Sequence, residues 1–281
     1  MKLKPLVLVS AFATMSFSTT FAATNFSAEQ KKEVEQIVHE YLVKNPEVLV
    51  EASQALQQKQ QQTMQEQAKD AITQNASQLF TEELAVAGNP KGDVTLVEFF
   101  DYQCVHCKKM KPVIKQLVKN DKNLRVIYKE FPIFGKSSEL ASKAALAAAL
   151  QGKYQQMHDA LLNVDKRLNE KVIMEAAKSV GLDVSKLKKD MSGEKVTKAL
   201  SQNRELAEKM HLMGTPAFIV AATPGGQFKK DSNPAFVPGA ASAEALQDMI
   251  KNVKKYPSAI PGLILSVIRV VFAIFAPVAN Q

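Results

Sequence analysis

The only two cysteines of this 281-residue chain lie in the stretch Cys104-Val105-His106-Cys107. A strand-like apolar run at 94–100 precedes them, and a helix-like run at 108–117 follows. A thiol at the start of a helix lies beside unpaired backbone N–H groups and the positive end of the helix dipole, which stabilise a thiolate. Each sulfur can bond only to the other or to a sulfur of another protein. The pattern therefore predicts a redox-active dithiol.

The order of the two sulfurs predicts a different role for each. Cys104 comes first and is expected to lie nearer to solvent, as the nucleophile. Cys107 lies one helical turn further on and is expected to be more buried and to resolve mixed disulfides. His106, between them, is expected to stabilise the Cys104 thiolate by hydrogen bonding or partial positive charge. The alternative is that His106 is an exposed loop residue without such a role.

A carboxyl group precedes the motif within the strand-like run. Glu98 lies six residues before Cys104 and is flanked by Phe99 and Phe100. A buried carboxylate near the inner sulfur can relay the proton of that sulfur. Because side chains alternate along a strand, a solvated surface glutamate is the alternative.

Two other readings of the cysteine pair are weaker. A structural disulfide usually closes a longer loop, because a short loop constrains the unfolded chain less. A zinc site needs more ligands, but the chain has no second Cys-x-x-Cys pair and its histidines are scattered. We therefore expect no metal and no diffusible cofactor at this site. The four histidines are His39, His106, His158 and His211.

Both ends of the chain carry apolar segments. Residues 1–22 combine a short basic start, an apolar stretch and small residues before a cleavage point, which predicts a secretory signal peptide; a retained membrane anchor is the alternative. Export would place the protein where disulfides persist. The tail at 257–281 is almost entirely apolar, and three roles are open for it: docking on the protein or on its dimer mate, in-plane membrane binding, and a membrane span.

The charge and composition of the chain limit the classes of partner that it can bind. The formal net charge is +8, but the lysines are spread along the chain and no nucleic-acid-binding motif accompanies them. We therefore expect a solvated basic surface and no nucleic-acid partner. The apolar fraction of 46% is sufficient for a packed core.

The region at 23–80 is predicted to form an α-helical extension. Ser27 and Gln30 fit a capping box for a helix ending near Lys44, and its apolar residues share one face. A second helix follows and becomes rich in glutamine, with few apolar positions. It is expected to be an extended linker or to pair with another copy of the chain; a solvated, partly frayed helix is the alternative. We place a domain boundary near residue 80 and interpret the extension as a dimerisation region.

The region at 81–256 reads as one α/β domain. Strands are predicted at 94–101 and 124–131, with the dithiol helix at 104–119 between them. A helical insertion is predicted at about 137–210, because that stretch is rich in alanine and lysine and cannot continue a sheet.

The dithiol stretch with the acid before it, and the later segment Gly214-Thr215-Pro216-Ala217, resemble the DsbA family of bacterial thiol-disulfide oxidoreductases. The resemblance implies a thioredoxin-like α/β fold with an inserted helical domain. It also implies an acid at Glu98, a cis-proline at Pro216, and a client-binding backbone at Thr215 beside Cys104. The N-terminal extension is similar to that of members that dimerise and act as oxidase or isomerase.

The resemblance implies a periplasmic enzyme that forms, and in some members isomerises, disulfides in exported proteins. Reduced or misfolded exported proteins would be its clients, and a membrane redox partner would reoxidise it. Val105 and Thr215 depart from the pattern of the strong oxidases and favour isomerase or reductase activity. Two alternatives stay open: a reductase or isomerase kept reduced by a partner, and a dimeric surface scaffold or holdase in which the dithiol is secondary.

Overall fold

The computed structural model describes residues 26–81, 84–230 and 232–255. The predicted signal peptide at 1–22 and the apolar tail at 257–281 lie outside these residues. The chain divides into two compact units between Lys59 and Gln60. This division lies about twenty residues before the boundary expected near residue 80, so residues 60–80 belong to the same unit as the dithiol.

A five-stranded mixed sheet forms the centre of the second unit, in the order β1-β3-β2-β4-β5. Only β2 and β3 run parallel; the other neighbouring strands are antiparallel. The strands are β1 (Val86–Gly88), β2 (Val94–Phe100), β3 (Leu124–Glu130), β4 (Ala217–Ala222) and β5 (Ala235–Pro238). The arrangement confirms the α/β, thioredoxin-like class expected from the sequence.

Helices cover both faces of this sheet. In chain order, the α-helices of the described residues are α1 (Ala28–Lys44), α2 (Glu47–Gln74), α3 (Ala76–Phe80), α4 (Val105–Asn120), α5 (Lys136–Ala149), α6 (Tyr154–Leu162), α7 (Glu170–Ser179), α8 (Val184–Met191), α9 (Glu194–Lys209) and α10 (Ala243–Lys255). The five helices from α5 to α9 are inserted between β3 and β4, and a short 3-10 turn at Pro224–Gly226 follows β4.

The central strands are buried on both faces, so their side chains divide between two cores. Leu96 and Phe100 of β2 belong to the core that contains α4, α10 and most of the inserted helices. Val97 and Phe99 belong to the core on the opposite face, with α3 and α9. A strand covered on both faces reads as a continuous apolar run, which explains why alternation is weak in this part of the sequence.

The second half of α2 packs against the sheet, contrary to the expectation of a linker. Ala68 and Ile72 are buried in the core that contains Val97 and Phe99. The side chain of Gln65 donates a hydrogen bond to the carbonyl oxygen of Phe236 at 3.0 Å. Ala68 and Ile72 lie four positions apart and therefore on one face of the helix, and this face packs on the core. Most of the remaining surface of α2, which carries the glutamines, is exposed to solvent.

The first unit begins with the predicted capping box. The Ser27 hydroxyl accepts from the Gln30 N–H at 3.2 Å, and the Gln30 side chain accepts from the Ser27 N–H at 2.9 Å. The side chain of Asn45 donates a hydrogen bond to the carbonyl oxygen of Tyr41 at the end of α1. No residue of α1 is buried, and Ile37 is 61% exposed.

Within the described ranges of the chain, no helix combines the length and the apolar composition needed to cross a membrane.

Candidate functional site

The turn between β2 and α4 holds both cysteines at the start of a helix, as the sequence predicts. Cys104 is the N-cap residue of α4, with extended backbone, and Cys107 lies in the first turn. The carbonyl of Cys104 accepts the first helical hydrogen bond, from Lys108 N–H at 3.1 Å. Both thiols are reduced in this structure and both residues are buried. Cys104 is 3% exposed and Cys107 is 1% exposed, so Cys104 lies nearer to solvent by only a small margin.

The two thiols nevertheless have very different acidities. The pKa of Cys104 is lowered to about 5, chiefly by a hydrogen bond from the Cys107 thiol. The side chain of Thr215 and the backbone N–H groups of Cys107 and His106 lower it further, while burial opposes them. The pKa of Cys107 is raised, first by burial, then by its hydrogen bond to Cys104 and by the charge of Glu98. Cys104 is therefore the thiolate at neutral pH, and Cys107 keeps its proton.

The segment before β4 lies against Cys104. The Cys104 thiol donates a hydrogen bond to the carbonyl oxygen of Thr215 at 3.2 Å. The peptide bond between Thr215 and Pro216 is cis, as expected. The hydroxyl Oγ1 of Thr215 is buried and has no hydrogen-bond partner in the described part of the chain. This hydroxyl is free to donate when the Cys104 thiolate forms.

Glu98 is buried on the face of β2 that carries the dithiol. It shares that face with Leu96 and Phe100, and it is 2% exposed, so the alternative of a solvated surface glutamate is wrong. Burial raises the pKa of Glu98 well above its usual value, and the charges of Cys104 and Glu130 raise it further. A carboxyl group that holds its proton so close to two sulfurs can exchange that proton with them.

The side chain of His106 is exposed, and its backbone N–H is the part that lowers the Cys104 pKa. The structure therefore brings Cys104, Cys107, Glu98 and Thr215 together, while the His106 imidazole faces outward from the helix start.

Asp101 is a structural residue of the site that the sequence analysis did not identify. Its Oδ1 accepts from Gln103 N–H and from the Ser138 hydroxyl, each at 2.7 Å. Its Oδ2 accepts from the backbone N–H groups of Ile133 at 2.8 Å and Phe134 at 3.1 Å. One buried carboxylate thus fastens the dithiol turn, the loop after β3 and the start of α5 to each other. The only sequence signal was an acid directly after an apolar strand.

Glu130 is a second buried acid near the site that the sequence does not reveal. The carboxyl of Glu130, at the end of β3, accepts hydrogen bonds from Tyr102 and Tyr154, and Tyr102 also contacts His158. These residues lie between 24 and 56 positions apart in the chain, so no local pattern reveals them.

Exposed apolar side chains belong to the same segments as the dithiol. Val105 is in the motif itself, Ile133 and Phe134 are in the loop held by Asp101, and Met213 lies two residues before Thr215. Met213 is 98% exposed. Water-exposed apolar groups at this density near a reactive sulfur indicate a surface that contacts another molecule.

In the described ranges, no group of three or more histidine, cysteine, aspartate or glutamate residues is arranged to hold a metal ion.

A thioredoxin-like sheet that presents a low-pKa cysteine beside a buried, protonated cysteine defines a dithiol oxidoreductase. The chain belongs to the family of DSBA-like thioredoxin domains, which matches residues 95–251. Residues 30–63 match the N-terminal domain of the copper resistance protein ScsC. The expected resemblance to DsbA-like oxidoreductases with an N-terminal helical extension is confirmed.

Solved structures support the same assignment. The chain is 40% identical to a thioredoxin-like oxidoreductase from Silicibacter pomeroyi, over 64% of this chain and 98% of that one, with a TM-score of 0.58. It is 32% identical to BcfH from Salmonella enterica Typhimurium, over 80% of this chain and 96% of that one, with a TM-score of 0.68.

Curated relatives share a smaller part of the chain. A probable disulfide bond formation protein D from Bacillus cereus is 25% identical over 146 residues, which cover 47% of this chain and 68% of that protein. The match to the Na(+)/H(+) antiporter NhaA 3 from Salinispora tropica spans 21% of that protein.

Proposed function

We propose that this protein is a periplasmic thiol-disulfide oxidoreductase that forms disulfides in exported proteins and rearranges incorrect ones. The observation that carries the proposal is the contact between two thiols of opposite acidity, Cys104 with a pKa of about 5 and Cys107 with a raised pKa. A stable thiolate at Cys104 favours the reduced form, and so makes the Cys104–Cys107 disulfide a good oxidant.

The reaction proceeds in two exchanges. A client thiolate attacks Sγ of Cys104 in the disulfide form, a client–Cys104 bond forms, and Cys107 leaves with the electron pair. The second client thiolate then attacks the client sulfur of this mixed disulfide. The client disulfide forms, and Cys104 leaves as a thiolate that Cys107, Thr215 and the helix start stabilise. In isomerisation the thiolate of Cys104 attacks a client disulfide first, and Cys107 resolves complexes that stall.

Glu98 serves the proton movements in this scheme. When Cys107 leaves, it takes up a proton, and Glu98 is the buried acid whose charge acts on Cys107. We assign Glu98 as the group that supplies and recovers this proton. The imidazole of His106, exposed at the turn, is assigned to stabilise the thiolate from the solvent side.

The apolar surface around the dithiol supports a protein substrate. The exposed side chains of Val105, Ile133, Phe134 and Met213 suit the apolar segments that an unfolded client exposes. Thr215 and Pro216 adjoin Cys104, so a client bound there places its sulfur at Cys104. A membrane redox protein would return the dithiol to the disulfide form, and no diffusible cofactor takes part.

Two copies of the chain are proposed to associate through the first unit. The apolar face of α1 carries Val34, Ile37, Val38 and Tyr41, all of them exposed. Pairing of two such faces would bury them and bring two dithiols to one client. The same exposed face favours the second candidate function, a holdase that binds unfolded chains without redox chemistry.

A trapping experiment separates these functions. Cys107→Ser should accumulate mixed disulfides with exported proteins, because no resolving sulfur remains, and Cys104→Ser should accumulate none. The thiol state of the wild-type pair in cells, measured by alkylation and gel shift, gives the direction: a mostly oxidised pair supports an oxidase and a mostly reduced pair an isomerase or reductase. Unchanged protection of unfolded clients by the Cys104→Ser, Cys107→Ser double variant would instead support the holdase.

A further inference from the structure

A carboxyl group that the proposed mechanism does not use lies buried behind the dithiol. Glu130 ends β3 and is 0% exposed. Its Oε1 accepts hydrogen bonds from the hydroxyls of Tyr102 at 3.0 Å and Tyr154 at 2.8 Å. Its Oε2 is buried and has no hydrogen-bond partner among the described residues. The two donors at Oε1 thus stabilise the ionised form of Glu130, and Oε2 is the oxygen that can carry the proton in the neutral form.

His158 completes this network as a neutral group. Its Nδ1 lies 3.2 Å from the hydroxyl oxygen of Tyr102. The Tyr102 hydroxyl donates its one proton to Glu130, so Nδ1 of His158 carries a proton in this contact and donates it to Tyr102. Burial lowers the pKa of His158 to about 3, so the ring stays neutral at physiological pH. The acid of the network that changes charge near neutral pH is Glu130, whose pKa burial raises to about 8.

The strand register connects Glu130 to the dithiol through Glu98. In the parallel pair of β2 and β3, Glu98 lies opposite Tyr128, and Phe100 lies opposite Glu130. Glu98 and Glu130 therefore project from the same face of the sheet, one position apart along that face. The charge of Glu130 acts on Glu98, and the charge of Glu98 acts on Cys107. Two buried carboxyls so close together do not both ionise readily.

We propose that Glu130 is a positioning residue for the dithiol reaction: when it ionises between the hydroxyls of Tyr102 and Tyr154, its carboxylate keeps the proton on Glu98 beside the Cys104 thiolate. The buried negative charge then lies on the strand further from the sulfur, where two hydroxyls stabilise it. Without Glu130, Glu98 would ionise more easily and repel the Cys104 thiolate. This inference rests on the proposed function, and it concerns the equilibrium of the dithiol rather than the choice of client.

Reduction of the Cys104–Cys107 disulfide by a dithiol breaks one S–S bond and forms one S–S bond in the reductant, with transfer of two electrons. Of the two protons released by the reductant, one goes to Cys107 and the other to the Glu98–Glu130 pair or to solvent. The number of protons taken up at the pair is what Glu130 controls.

Other titratable and charged groups surround Glu130 and His158, and they belong to the strands and helices that pack against these two residues. They are Glu98, Asp101 and Tyr102 from β2 and the following turn, Tyr128 from β3, Cys104, Cys107 and Lys111 from α4, and Tyr154, His158 and Asp159 from α6. From α5, the Ser142 hydroxyl lowers the pKa of Glu130 but does not itself titrate in this range.

The test is the equilibrium of the purified, full-length protein with reduced and oxidised glutathione as a function of pH, for wild type and Glu130→Gln. Glutamine mimics the protonated acid, so at about pH 6 the two proteins should agree within about twofold. At about pH 9, where Glu130 of the wild type is ionised, Glu98 should be ionised to a greater extent in the variant than in wild type. The variant should then favour the disulfide by roughly fivefold relative to wild type.

Further variants separate this effect from a loss of packing. In a Glu98→Gln background, Glu130→Gln should cause no additional change, since the route through Glu98 is already absent. Tyr154→Phe removes one donor to Glu130 and leaves the acid in place, so the pH dependence should persist and move to higher pH. If Glu130→Gln folds poorly, Tyr154→Phe alone distinguishes a positioning role of Glu130 from a purely structural one. A purely structural role would leave the pH profile of the glutathione equilibrium unchanged in Tyr154→Phe.

A wild-type profile in Glu130→Gln, or an equal effect of Glu130→Gln with and without Glu98, would overturn the proposal. These outcomes are independent of client trapping, because the glutathione equilibrium uses no protein client. A failure of the proposed function would leave this measurement unchanged.

Discussion

The Cys104 thiol and Thr215 make one hydrogen bond and leave a second one unmade. Sγ donates to the Thr215 carbonyl at 3.2 Å, while Oγ1 of the same threonine is buried without a partner in the described chain. When Cys104 loses its proton, it can no longer donate to the carbonyl, but it can accept from the hydroxyl. Thr215 thus offers the thiolate a donor that the thiol does not use.

Thr215→Val removes that donor at nearly constant volume. The Cys104 pKa should rise by about one to two pH units, because a hydrogen bond to a charged group contributes about 1.5–3 kcal/mol and one unit corresponds to about 1.36 kcal/mol. The disulfide should become less oxidising, which is opposite to the expectation from the resemblance that a threonine at position 215 favours isomerase or reductase activity. Thiolate absorbance against pH measures the pKa, and Thr215→Ser, which keeps the hydroxyl, should stay close to wild type. An unchanged pKa in the valine variant would exclude the hydroxyl as a source of thiolate stability.

His106→Ala should raise the Cys104 pKa less than Thr215→Val does. The exposed imidazole is screened by water, and the backbone N–H of residue 106, which contributes to the low pKa, is kept in the variant. The same absorbance titration, at low and high salt, measures the difference. A larger effect for His106→Ala, abolished by salt, would assign the main stabilisation to the charge of the imidazole instead.

Ionisation of Cys104 should contribute increasing stability to the reduced protein as the pH rises from about 5 to 9. The pKa of Cys104 is about 5 in the folded chain and 9.0 for an unperturbed thiol, so the ionised form favours the folded state throughout this window. The gain is complete above pH 9 and is lost as the pH falls through 5. Cys107, whose pKa is raised, opposes folding only at higher pH.

Denaturant unfolding of the reduced protein at several pH values measures this dependence, with reduced Cys104→Ser as the control. The buried acids Glu98 and Glu130 have raised pKa values and change stability in the opposite direction, but they are present in both proteins. The difference between the two curves therefore reports Cys104 together with the effect of its charge on Glu98. A difference that is flat across the window would contradict a low Cys104 pKa.

Glu98→Gln should slow resolution of the mixed disulfide by roughly a hundredfold, in the range that general acid-base catalysis contributes. In the mixed disulfide Cys104 carries no charge, so one of the causes that raise the pKa of Glu98 is absent. Glu98 can then accept the proton that Cys107 must lose before it attacks. Single-turnover decay of a trapped peptide adduct gives the rate, and Glu139→Gln, on the outside of α5, is the matched control. Equal decay in wild type and Glu98→Gln would assign the proton transfer to water.

The sequence identified the parts of the site that follow one another in the chain and missed those that the fold brings together. Cys104 and Cys107 could be assigned from their position between a strand and a helix. The orientation of Glu98 could not be predicted, because both faces of β2 are buried and alternation gives no signal. The network of Glu130 depends on contacts across 24 or more residues, which only the packing of α6 against β3 creates.

The packing of α2 in the N-terminal region is another feature that could not be predicted from the sequence. The glutamine-rich composition of α2 predicts a solvated helix, and most of its surface is indeed exposed. The two buried side chains, Ala68 and Ile72, lie four positions apart and contact the core that contains Phe99. Composition averages over these positions, so it does not reveal that residues 60–80 belong to the same compact unit as the dithiol.

A truncation tests both the boundary and the proposed association. Removing residues 23–59 should leave a folded, active oxidoreductase that is monomeric by light scattering, while the chain that keeps these residues should be a dimer. Extending the deletion to residue 80 should destabilise the fold strongly, because it removes Ile72, Leu79 and Phe80, which are buried in the core of the second unit.

Single substitutions make the boundary quantitative. Ile72→Ala should lower the free energy of unfolding by about 2–5 kcal/mol, the usual cost of emptying a fully buried aliphatic site. Leu49→Ala, at a position of α2 in the first unit that is 57% exposed, should change the stability of the dithiol domain by less than about 0.5 kcal/mol. If instead Leu49→Ala reduces the association of the full chain while Ile72→Ala does not, the dimer contacts extend from α1 into α2. A full-length chain that is monomeric at all concentrations would remove the association proposal, and isomerase activity would then have to come from a single dithiol with its own apolar rim.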